Sequence, residues 1–262
     1  MSNYTGSEIF SSKTRVNPKD GKLVLANMFW VAFALLIGGT AGLLQTLVRS
    51  GHFELPFGIG YYQLLTLHGV ILALVMTFFF IMGFQIAALS RTAGALNDKE
   101  RTLGWIGFWV MTAGTLMSAA MIAMNEASVL YTFYAPLQAH VIHYIGLTLV
   151  IVGTWVSVAG QLMRYFRWRK ENKGHKTPLL SYMTAINNVM WIVCTIGVAS
   201  TVLFQFIPWS LGWVETINIT LSRTLFWYFG HPLVYFWLLP AYMVWYAIIP
   251  KVLGTKGFSD NL

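Results

Sequence analysis

Residues 224–250 read TLFWYFGHPLVYFWLLPAYMVWYAIIP, a run with no aspartate, glutamate, lysine or arginine. A helix rises 1.5 Å per residue, so about 20 apolar residues cross a hydrocarbon core roughly 30 Å thick. The run is longer than that and predicts a transmembrane helix. The rest of the chain agrees with it. Of 262 residues, 56% are hydrophobic, 16% aromatic and only 10% charged, with a mean hydropathy of +0.62. An ordinary soluble domain is about a quarter charged, so a soluble protein is excluded.

Working outward, five more uncharged stretches qualify: 23–48, 55–90, 102–125, 127–163 and 177–214. The second, fourth and fifth exceed one crossing. Their surplus predicts loop or interfacial backbone, consistent with Pro56, Pro136 and Pro208 near their outer ends. The expected fold is all-α, a polytopic membrane protein of six transmembrane helices. Residues 1–22 form a polar arm, 23–250 the six-helix membrane domain and 251–262 a tail. The first apolar run lacks a small-residue cleavage pattern, so a retained helix is expected rather than a removed signal peptide. Cys194 stands alone and reads as a small buried residue.

The net charge of +8 resembles a nucleic-acid footprint until its bearers are located. All the lysines and arginines except Arg49 and Arg223 fall in the N-terminal arm, the connections after the second and fourth spans, and the tail. That one-sidedness is the positive-inside pattern, so it reads as topology and not as a nucleic-acid partner. Both ends of the chain are expected to be cytoplasmic, and the second, fourth and sixth helices to run inward.

Depth makes the histidines informative. His52 and His175 fall in connections, where solvated side chains are the default. His140 and His143 open the fourth helix, where interfacial hydrogen bonding is expected. His68 and His231 differ, because each lies inside an uncharged span that begins at the outer face. With helix starts near Tyr61 and Thr224, each is about 10 Å deep. A hydrogen bond to a neighbouring helix would account for either alone, but imidazole also ligates iron and copper without bringing charge into a low dielectric. Gly69 beside His68 and Gly230 beside His231 leave room for a bulky group such as a porphyrin edge.

At 100° per residue from His231, Tyr235 falls at about 40°, Tyr242 at about 20° and Tyr246 at about 60°. The four side chains form a polar stripe about 22 Å long. Tyrosine both donates and accepts hydrogen bonds, so this row with intervening water can relay protons inward. Interfacial anchoring suits Tyr246 but not Tyr235. Pro232 and Pro240 each remove a donor and loosen the helix locally. No paired carboxylates, phosphate-cradling glycine loop or nucleophile with a placed base occurs.

Gly230–Tyr242, GHPLVYFWLLPAY, resembles the sixth-helix signature of subunit I of the haem-copper oxygen reductases, and Thr66-Leu67-His68-Gly69 resembles that family's second helix. The likeness covers all six spans and is specific in helices two and six. It implies His68 as an axial ligand of a low-spin haem, and His231 as one of three histidines on the copper called copper B. It further implies Tyr235 as a residue joined covalently to His231 that supplies an electron and a proton when the O–O bond breaks. Tyr242 and Tyr246 match the family's proton-uptake route. A-type members carry glutamate where Leu233 stands here. That departure resembles the B-type subgroup, with one inward proton route, commonly a b-type low-spin haem and an a-type high-spin haem. The family has about twelve helices, and its remaining ligands lie beyond the sixth, so the chain resembles an N-terminal half.

The activity this implies for the complete subunit is that of a cytochrome c oxidase. It reduces O2 to water with electrons from cytochrome c or a similar donor and couples this to proton translocation. Subunit II, other small membrane subunits and the lipid bilayer are the implied partners, and a prokaryotic plasma membrane the implied location. Three alternatives remain open: a nitric oxide reductase of the same superfamily, a non-redox transporter lined by the tyrosine stripe, and an inactive membrane fragment. Tyr235 with Leu233 favours oxygen over nitric oxide, and a transporter leaves His68 unexplained.

Overall fold

The structure, a computed structural model, describes residues 15–51, 54–55 and 58–255. His52 and Pro56 lie outside the described residues, as do Lys13 of the basic arm and Lys256 of the tail. Among the described residues, six helices long and apolar enough to cross a membrane follow one another: α1 Pro18–Arg49, α2 Tyr61–Thr92, α3 Asp98–Ala123, α4 Val141–Glu171, α5 Leu179–Ser210 and α6 Ile219–Val252. There is no strand among the described residues. Side-chain caps set several starts. Asn17 accepts from the Lys19 N–H, Asn97 and Glu100 form a reciprocal capping box, and Asn218 accepts from the Leu221 N–H.

Neighbouring helices pack through glycine. A Cβ on Gly146 would lie 2.7 Å from the Gly114 carbonyl oxygen, and one on Gly153 would lie 2.7 Å from that of Gly107. Gly160 meets the carbonyl of Glu100 in the same way. These glycines recur every seven residues and draw the α3 and α4 backbones into direct contact, as small residues do between membrane helices. On the α5–α6 seam, Trp191 stacks on Phe236 with ring centroids 4.0 Å apart, and Phe78 of α2 meets Trp191 edge-on at 4.8 Å.

Three sequence expectations change. The basic run after the fourth span is not loop, because α4 continues to Glu171. Arg164 is buried there and donates to the Gly94 carbonyl at 2.8 Å, while Arg167 pairs with buried Glu100 at 2.7 Å. Internal partners for these arginines make the helical extension stable. Pro208 does not end the fifth helix either; α5 passes through it after a π-helical stretch, Val202–Phe206. A wide turn there tolerates the donor that proline lacks. Finally, α6 starts at Ile219 rather than near Thr224 and runs unbroken through Pro232 and Pro240.

At the basic end, fully buried Asp20 accepts from the Ser90 hydroxyl at 2.7 Å and the Leu96 N–H at 3.1 Å, and pairs with Arg101 at 2.9 Å. This ties the start of α1 to the end of α2 and to α3.

Candidate haem and copper ligand sites

His68 lies on α2, two residues before a second π-helical stretch, Val70–Met76. Its Nδ1 donates to the Gly38 carbonyl oxygen of α1 at 2.8 Å. A carbonyl only accepts, so Nδ1 carries the proton and the Nε2 lone pair is free. The Nδ1 edge of the ring comes close to α1 because Gly42 has no side chain; a Cβ there would fall 2.6 Å from Nδ1. A cleft of about 370 Å³ opens beside the imidazole, lined by Leu65, Gly69, Leu72, Ala73, Leu130, Tyr131, Thr132 and Trp237. Thr66 holds one wall in place, its hydroxyl accepting from the Leu130 N–H at 2.9 Å. Gln63 fixes the outer end of α2 by donating to the carbonyls of Ile122 and Ala123 at 2.8 and 2.9 Å.

His231 is exposed on α6, and its Nε2 faces the Tyr235 hydroxyl at 3.4 Å. The ring centroids are 5.1 Å apart at 70°, the neighbour relation that i and i+4 side chains have on a helix. Tyr235 takes the Nε2 side, so Nδ1 remains available to a metal. Tyr235 is 49% exposed and Tyr246 66%, with Tyr242 half-buried against Trp245, ring centroids 5.4 Å apart. Tyr235 and Tyr242 are separated by about 10 Å along the axis, too far for a direct bond, so a relay needs groups between them. Among the described residues no three His, Cys, Asp or Glu side chains gather into a metal set. His231 can therefore supply one ligand, not a complete shell.

Part of the space predicted beside the two imidazoles is taken by rings of this chain, while Gly69 still lines the cleft at His68. Tyr131 packs on Gly69, at 3.1 Å from where a Cβ would be, and Trp227 covers Gly230 at 2.8 Å. Each glycine accommodates an aromatic ring of this chain. His140 caps α4 by accepting from the Ile142 N–H, and His143 is fully buried with its Nδ1 3.0 Å from the Ser118 hydroxyl. Sequence reasoning missed Tyr131 and Trp237, which carry no ligand chemistry. It also missed the Gly38 and Gly42 shelf, for which a pair of glycines four residues apart was the available signal.

A free imidazole nitrogen over an apolar cleft and a second beside a tyrosine suit a redox-metal protein, and comparison with known proteins decides which. Residues 22–262 match the family model described as cytochrome C and quinol oxidase polypeptide I. The chain belongs to that family. It is 39% identical to cytochrome c oxidase subunit 1 of Thermus thermophilus over 87% of this chain and 42% of that one. It is 25% identical to a probable quinol oxidase subunit 1 of Staphylococcus aureus over 77% of this chain and 32% of that one. A solved haem-copper terminal oxidase dimer superposes with a TM-score of 0.83 at 41% identity, covering 90% of this chain and 41% of its counterpart. The chain thus spans less than half the length of these relatives. Family and apolar helices together make it an integral membrane protein, and the family implies haem and copper.

The residues fit those groups. His68 offers an oriented Nε2 with Nδ1–H anchored on a backbone carbonyl, the arrangement that fixes a ligating histidine's tautomer. His231 offers Nδ1.

Proposed function

We propose that this chain is part of subunit I of a haem-copper terminal oxidase whose complete form reduces O2 to water. Cytochrome c or a similar carrier supplies the electrons, and the reaction is coupled to proton translocation. The observation that carries this reading is the pairing of His231 with Tyr235 on one face of α6, Nε2 to hydroxyl 3.4 Å. When bound, the haems and copper B supply the binding and stepwise reduction of O2.

The chain's own residues do the rest. His68 holds the low-spin haem, and its bond to Gly38 sets the ring plane. His231 supplies one copper ligand, with the others coming from the remainder of the subunit. Tyr235, joined to His231, provides a hydrogen atom, as proton and electron, at its hydroxyl. Tyr242 and Tyr246 pass protons along the exposed face of α6 towards it. Leu233 in place of an acid leaves this the inward route and supports the B-type assignment, with a b-type low-spin haem and an a-type high-spin haem.

The basic end of the bundle is cytoplasmic by the positive-inside tendency, and the membrane is a prokaryotic plasma membrane. Exposed His231 and Tyr235 lie on the helix face that the rest of the subunit covers; subunit II and smaller membrane subunits complete the enzyme. In the complete enzyme, Tyr235→Phe is expected to keep both haem spectra and lose steady-state O2 consumption. Near-normal turnover removes the role given to Tyr235.

A further inference from the structure

Among the described residues two π-helical stretches interrupt the bundle, and only one has a local cause. In α5, Pro208 follows Val202–Phe206 and cannot give an N–H to the preceding turn. In α2, Val70–Met76 has no proline. Wide turns are rare and cluster at functional sites, so this one calls for a tertiary reason.

The reason lies in what stands on either side of it. Below the stretch, Phe78 packs on Trp191, Phe79 stacks on Trp30 at 5.3 Å, and Met82 accepts from the Gln161 amide at 3.6 Å. Above it, His68 bonds to Gly38. A wide turn holds one residue more than an α-turn, which rotates the helix beyond it by about 100°. An uninterrupted α-helix can keep the lower contacts or the His68–Gly38 bond, but not both. The stretch also forms walls in two directions: Leu72 and Ala73 line the cleft beside His68, and Leu74 and Val75 line an apolar cavity on the other side.

Thr77 closes the turn. Its N–H goes to the Leu74 carbonyl, which leaves the Ala73 carbonyl without its usual α-helical donor. The Thr77 hydroxyl donates to Ala73 O at 2.6 Å and lies 3.3 Å from Leu74 O. We infer that the extra residue in Val70–Met76, locked by Thr77, is the device that aims the His68 imidazole, and that Thr77 is a positioning residue for it. The inference rests on the reading of His68 as a haem ligand.

The test uses the complete subunit in its enzyme, with three readouts: low-spin haem per high-spin haem from reduced-minus-oxidised spectra, the low-spin electron paramagnetic resonance signal, and the ring nitrogen shifts of His68. Deleting Ala73 is expected to abolish low-spin haem binding and the hydrogen-bonded Nδ1–H signal. Deleting Ala73 while inserting alanine after Val75 restores the residue count and is expected to restore both. Thr77→Val is expected to shift the low-spin signals, and Thr77→Ser to retain them. Wild-type signals in the deletion variant overturn the inference. If that variant does not assemble, unchanged spectra and nitrogen shifts in Thr77→Val overturn it instead. Should His68→Ala keep its low-spin haem, the ligand reading fails, and the nitrogen shifts of the deletion and Thr77 variants still decide whether the turn aims the ring.

Discussion

The imidazole of His68 and the backbone of Gly38 are joined by a 2.8 Å hydrogen bond that crosses from α2 to α1. No side chain mediates it. The imidazole's orientation is set by main chain on one side and by the absence of a side chain at Gly42 on the other, which makes the site sensitive to single methyl groups.

Gly42→Ala places a carbon 2.6 Å from Nδ1 of His68, closer than real Cβ contacts come, so the imidazole must move. The expected result is loss or displacement of the low-spin haem band with the protein still inserted in the membrane. Gly39→Ala is the control, since nothing lies within 4 Å of its Cβ position. Optical spectra of the two purified variants separate a specific from a general effect.

Tyr242→Phe keeps the ring against Trp245 and removes the hydroxyl. Proton uptake is expected to slow by about 100-fold, the lower end of what a positioned proton-transfer group contributes. The haem spectrum should not change. Stopped-flow uptake with a pH dye reads this, and an unaltered rate counts against the tyrosine stripe.

Arg101→Gln leaves fully buried Asp20 without its ionic partner, though with the Ser90 and Leu96 donors still in place. Removing one member of a buried pair costs about 3 kcal/mol or more, which should appear as a lower midpoint of thermal unfolding in detergent. Adding Asp20→Asn removes the uncompensated charge, so the double variant is expected to be more stable than Arg101→Gln alone.

Gly114→Val drives a branched side chain into the backbone of α4 at Gly146 and Val150. Overpacking of this kind costs about 1–3 kcal/mol in adaptable cores, and a carbonyl cannot yield as a side chain does. The expected outcome is a larger loss of thermal stability than for Gly39→Val on the open face of α1.

The six spans were legible because charge is so costly in hydrocarbon that the uncharged runs mark the helices almost by themselves. Their ends were less so. Arg164 and Arg167 read as loop since a sequence does not reveal that Gly94 and Glu100 wait for them on another element. His231 and Tyr235 were legible as a pair because four-residue spacing is local. The His68–Gly38 bond was not, being between residues thirty positions apart. The wide turn in α2 was hidden for a different reason: Val70–Met76 is an ordinary apolar string, and the demand for an extra residue comes from partners on α1, α4 and α5. Gly69 and Gly230 were legible only as places of close approach, because a missing side chain does not say what comes near; Tyr131 and Trp227 do, and Gly69 also borders the cleft at His68.

The glycine ladder between α3 and α4 also bears on the order in which the protein is built. Two backbones that recognise each other directly need no prosthetic group to do so, and the hairpin can close as soon as its second strand of chain has left the insertion machinery. The space beside His68 is of the other kind, a cleft between α2, residues 130–132 and Trp237 of α6 that protein atoms leave partly empty. The bundle then has a self-sufficient keel in α3 and α4 and, beside α2, a flank whose packing protein atoms alone do not complete.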